Sequence, residues 1–139
     1  MLELSKIESS IYTVLNPLLL ERKSGITPIH PRNLSDLKNR NSVVVMNYLD
    51  DAIEGMSISQ EILQPQFTFI TYSGEFILSR RMQEVVISLM SELDANKFST
   101  PEIKISSYTK LRRSPVMFED SSEMYLASVD YRFFAQSCL

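Results

Sequence analysis

Leu78, Met82, Val85, Val86, Leu89 and Leu93 recur at steps of three and four, a spacing that gathers apolar side chains on one stripe of an α-helix. The stretch from Gly74 to Asn96 therefore predicts a helix of about six turns. Arg80, Arg81, Gln83, Glu84, Ser91, Glu92 and Asp94 fall largely on the opposite side, so the helix should rest on an apolar surface and turn its back to water. Asn96 stands where a left-handed cap would close it. Near the start of the chain Leu4, Ile7, Ile11, Val14, Leu15, Leu18 and Leu19 recur with the same period, predicting a first helix over Leu2 to Arg22. Pro17 removes a donor and crowds the turn before it, so a kink or break is expected near Asn16. A fresh turn would start there with Asn16 as cap.

The remaining apolar segments have the two-residue period of strands. Ser42 to Leu49 is rich in β-branched residues and should end at Asp50 and Asp51. Ile58 to Leu63 starts a further strand, and Gln66 to Tyr72 is the clearest one in the first half. Pro65 lies between them, so a strand running through it should bulge there or lie at an edge. From Glu102 to Arg112 the residues Ile103, Ile105, Ser107, Thr109 and Leu111 alternate with Glu102, Lys104, Ser106, Tyr108, Lys110 and Arg112, the second set being the polar face. Glu123 to Ala135 alternates again, with Tyr125, Ala127, Val129, Tyr131, Phe133 and Ala135 on the core face. The link from Arg113 to Ser122 suits a hairpin, so the last two strands should pair antiparallel, with Arg112 or Lys110 opposite Asp130 or Glu123.

These elements give an α+β fold in one domain, residues 1–139. Its sheet is largely antiparallel or mixed, of four to five strands, with two helices packed on one face, in the order α-β-β(-β)-α-β-β. A long loop over residues 23–42 separates the first helix from the sheet. With the adjoining Arg22, the basic Lys23, Arg32, Lys38 and Arg40 oppose only Asp36 there. That is either a solvated connection or a contact surface, and Arg32, Lys38 and Arg40 are its candidate docking residues.

Composition removes more functions than it adds. A chain of 139 residues with 44% hydrophobic residues can bury a core without metal or disulfide. The net charge of −3 disfavours a surface built to grip phosphates. A single cysteine, Cys138, excludes an intrachain disulfide. The start does not read as a signal peptide and no run is long enough to span a membrane, so a cytoplasmic protein without a membrane partner is expected. His30 is the one histidine and three glycines are too few for a phosphate-cradling loop. Asp50, Asp51, Glu54 and Glu61 lack regular ligand spacing and read as a solvated turn. No catalytic, cofactor or metal residues are assigned, and no enzyme is expected.

The order of elements, the strand QFTFITYS, the single long amphipathic helix and the closing hairpin strand YLASVDYRFF together resemble the tail terminator, or tail completion, proteins of long-tailed bacteriophages. The resemblance runs over nearly the whole chain through pattern and length, without an invariant motif. It implies a virion protein of the head–tail interface, assembled in the host cytoplasm. Such a protein forms a homo-oligomeric ring, usually hexameric, on the last ring of the tail tube protein. It stops tube polymerisation and offers a docking face to the head connector or neck protein, while double-stranded DNA passes through the hole without sequence-specific binding. From the residues themselves, the strand bearing Lys104, Tyr108, Lys110 and Arg112 is the candidate subunit interface. Another neck, head-completion or injection-device subunit is the nearest alternative. A small α+β enzyme or a binding module belongs to a different class and would need a pocket with converging polar groups.

Overall fold

The computed structural model describes residues 4–21, 27–29, 42–53, 62–121 and 123–137. In α1 (Leu4–Glu21), Ile7, Ile11, Leu15 and Leu19 are buried, because a four-residue step advances little more than one turn. The break expected near Asn16 does not occur, and α1 stays helical through Pro17. Pro17 and Thr13 are both exposed, so water can satisfy the Thr13 carbonyl that proline leaves without a donor.

The predicted loop over residues 23–42 contains a strand, β1 (Thr27–Ile29), paired parallel to β2 (Ser42–Ile53). Arg32, Lys38 and Arg40 lie outside the described residues. Asp50 and Asp51, where the sequence predicts the end of the strand, are instead part of β2. Asp50 and Asp51 are thus strand residues, and Glu54 and Glu61 lie outside the described residues. The next strand, β3 (Ile62–Ser73), runs unbroken through Pro65 although it is interior to the sheet. The irregularity that proline demands is moved to its neighbour: Tyr48 pairs Gln66 and Ala52 pairs Gln64, so Leu49, Asp50 and Asp51 together stand opposite Pro65.

Then follow α2 (Phe76–Glu92), a 3-10 turn (Ala95–Phe98), β4 (Ile103–Arg113), β5 (Met117–Glu119) and β6 (Met124–Ser137). The strand order is β1-β2-β3-β6-β4, and β5 pairs the start of β6 on the same side as β4. The fold is α+β, four long antiparallel strands extended by two short ones, with both helices sharing one core on one sheet face.

α2 is shorter than its sequence pattern predicts. Leu93 turns extended, and Asp94 caps the 3-10 turn by accepting from the Asn96 amide, so Asn96 is not a left-handed cap. Its buried face is Ser79, Met82, Gln83, Val86, Leu89 and Met90. Ser79 and Gln83 are thus core residues, and Gln83 does not share the wet side with Arg80, Arg81 and Glu84. On β6 the expected core face holds at Ala127, Val129, Tyr131, Phe133 and Ala135, all buried. Between helices and sheet the rings meet edge to face, Phe67 and Phe98 each against Phe133 at 5.5 and 5.6 Å. Each such buried side chain contributes roughly 1.5–3 kcal/mol by leaving water. A smaller cluster of Ile70, Tyr72, Met124 and Leu126 lies on the other sheet face.

Candidate functional site

β4 ends the strand order, so its outer edge has no partner strand among the described residues. Its ladder to β6 is irregular twice, between Ile105 and Ser107 and between Lys110 and Arg112. Each irregularity shifts the alternation by one residue. The strict two-face reading of Glu102 to Arg112 therefore fails after Ile105. Lys104, opposite Gln136, and Arg112, opposite Asp130, face away from the helices. Lys110 stands opposite the buried Tyr131 and Arg113 opposite Val129, so both take the helix side.

Tyr108 is the main correction to the candidate interface. It does not belong to the polar face: its ring lies 5.7 Å from Phe98 and 5.3 Å from Phe133, and its hydroxyl donates to the carbonyls of Met90 and Leu93. These two carbonyls belong to the last turn of α2 and its cap, where intrahelical donors run out. Tyr108 thus ties the end of α2 to the edge strand. Burial, and then the nearby Asp94 charge, push its pKa up.

The exposed side of β4 is basic. Lys104, Lys110, Arg112 and Arg113 are all exposed, together with Ser107, Thr109 and Leu111. Arg112 reaches Asp130 at 3.7 Å, and Asp130 also accepts from Thr68 at 2.8 Å. Arg113 lies 4.0 Å from Glu84 and donates to Gln83 Oε1 at 2.7 Å. Exposed pairs of this kind contribute about 0–1 kcal/mol, so the charge is available to a partner at little loss.

Gln83 is the polar centre behind this edge, and residue type hid it from the sequence reading. Its amide donates to Ser128 O at 2.7 Å and Ser114 O at 3.0 Å while its oxygen accepts from Arg113. One turn earlier Ser79 and Thr71 exchange side-chain to backbone bonds at 3.1 Å each. The available signal was position: residues 79, 83, 86 and 90 keep helical spacing beside the apolar stripe.

An open groove of about 500 Å³ runs between α1 and the segment entering β4, lined among others by Lys6, Ser10, Val14, Lys97, Pro101 and Glu102. Lys6 and Glu102 pair across it at 2.7 Å, and that bond and charge lower the Glu102 pKa. Ser10 donates to the Phe98 carbonyl, and Thr100 accepts from the amides of Glu102 and Ile103. These hydroxyls hold the fold together and do not converge on a reacting centre. Among the described residues no His, Cys, Asp and Glu group suited to a metal ion is present, and no helix is long and apolar enough to cross a membrane. Compared with known proteins, the sequence matches no family model and no curated protein.

Proposed function

We propose that this chain is the subunit of a ring that ends the tail tube of a long-tailed bacteriophage, stops tube growth and presents a docking face to the head connector or neck. The observation that carries the reading is β4, an edge strand whose outer side beyond Ile105 has no partner strand among the described residues and whose exposed side chains include Lys104, Lys110 and Arg112. A free edge offers main-chain hydrogen bonds to a neighbour, and charged residues on it restrict which neighbour can approach. The α+β order of elements agrees with the resemblance drawn from the sequence. Arg32, Lys38 and Arg40 remain candidates for the docking face. A ring of six such chains would carry a charge of about −18, and an acidic bore lets DNA slide instead of holding it.

The test is the mass of the purified chain by light scattering over a concentration series, alone and with tail tubes. The expected result is a closed ring, or a monomer that becomes a ring on tube ends and halts their growth. A monomer indifferent to tubes at every concentration would overturn the reading and favour a binding module. Combining Lys104→Glu, Lys110→Glu and Arg112→Glu should leave the melting temperature within a few degrees and abolish the ring. A normal ring from that variant would remove β4 from the interface.

A further inference from the structure

We infer that copies of this chain join head to tail, an aromatic knob at the hairpin end of one copy seated in the groove beside α1 of the next. The inference rests on the ring reading above and names the two surfaces that build the ring. The knob is Phe76 and Ile77 at the start of α2 with Phe118 of β5, exposed at 47%, 67% and 52%. Tyr125 joins them into one patch, its ring 5.8 Å from Phe76 and 5.1 Å from Phe118. Three large apolar side chains left together in water are characteristic of a contact surface, whereas single exposed ones are ordinary.

The groove stands at the other end of α2. Phe76 opens that helix, and the segment that lines the groove, Lys97 to Glu102, follows its last residue, Glu92. A helix of 17 residues separates the two by about 25 Å. Val14 and Pro101 give the groove an apolar part for a ring to enter.

Charge favours a second copy as the occupant. Glu75, Asp120 and Glu123 flank the knob residues in the chain and are exposed. Lys6 and Lys97 line the groove, with Glu102 already held by Lys6. Opposite charges set this way steer and orient association. Pro101 and Glu102 lead directly into Ile103, so the groove adjoins the start of β4, where Ser99 and Thr100 hold the outer edge. A patch at one end that fits a patch at the other leaves the growing assembly with one free knob and one free groove, and such contacts propagate until a ring closes.

The experiment combines Phe118→Cys with Val14→Cys in a Cys138→Ser background, oxidised and run without reductant, beside each single cysteine variant. Light scattering is recorded on the same samples, alone and with tail tubes. The expected result is a ladder of covalent multimers from the double variant and nothing beyond dimer from either single one. Rings by scattering without a ladder, or with a dimer as the largest product, would overturn the knob-in-groove contact and leave the ring reading standing. Monomers under every condition would overturn both. Independently, Lys97→Glu should weaken association by about tenfold or more and Asp120→Lys should restore it. Equal weakening in the double reversal would count against the contact.

Discussion

Gln83 is 1% exposed, and it holds α2 against two strands through a side chain that has no charge and no apolar bulk. Its three bonds go to Ser114 O, Ser128 O and Arg113; Ser128 O keeps the Ser114 amide as a donor, so replacement takes one partner each from Ser114 O, Ser128 O and Arg113. Gln83→Leu keeps the volume and removes every bond, and should cost about 1–3 kcal/mol. Gln83→Glu keeps the acceptor for Arg113 but sets a carboxylate against two carbonyl oxygens, and should cost at least as much. Urea titration followed by circular dichroism measures both. A Gln83→Leu chain as stable as the parent would mean that water reaches the two carbonyls. Leu89→Asp, at a position 3% exposed, should unfold the chain outright, because it would take a carboxylate out of water into an apolar cluster. The partly buried Val85, in an adjoining turn, should tolerate the same change better.

At the scale of elements, β4 shows what alternation alone could and could not reveal. Ile103 and Ile105 point to the core as the pattern requires, and the pairing of Arg112 with Asp130 is one of the registers the charges allow. Ser106 then falls out of the ladder, and Ser107 to Lys110 change face until the second irregularity, before Arg112, restores it. Nothing in a run of Ser106, Ser107, Tyr108 and Thr109 signals which residue is extra, because small polar residues fit either side. The long-range contacts decide: Tyr108 is the only residue of that run with a ring, and Phe98, Tyr131 and Phe133 offer it an aromatic site. Similar reasons explain the other departures. Pro65 is tolerated inside the sheet because β2 supplies the bulge, and a sequence reading cannot assign a bulge to a distant strand. Both helices, the paired last strands and the core face of β6 were legible because many apolar residues vote for each. Deleting Ser106 removes the extra residue and should leave strict alternation with Tyr108 still opposite Phe133, whereas Tyr108→Ala empties that aromatic site. The loss in Tyr108→Ala should be about 3 kcal/mol or more, as for removal of a large aromatic from a core. Ser106→Ala should change stability by less than about 0.5 kcal/mol. A Ser106 deletion as unstable in urea as Tyr108→Ala would mean that Ser106 is not the residue left out of the ladder.

At the scale of the whole molecule, buried tyrosines on both faces of the sheet tie stability to alkaline pH. Burial, and then the neighbouring Tyr108, push the Tyr131 hydroxyl up to about 12. Burial raises Tyr108 as well, and it raises Tyr72, with Glu119 adding to that shift. The unfolded chain releases these protons near pH 10, whereas the folded chain retains them to higher pH. Stability from this source is therefore complete below about pH 10 and is lost as pH rises toward the folded values. Tyr131 contributes a slope of at most about −1.4 kcal/mol per pH unit within that window. Glu102 acts in the opposite direction: its lowered pKa adds stability above the ordinary carboxylate range that is lost in acid. Because that carboxylate is fully exposed, the alkaline limb should be the steeper of the two. Urea midpoints taken from about pH 8 to about pH 11 should hold level and then fall, and the fall should be shallower in Tyr131→Phe. That variant keeps the ring against Phe69 at 5.7 Å and removes only the titrating hydroxyl, so an unchanged alkaline limb would show that Tyr131 does not carry the effect.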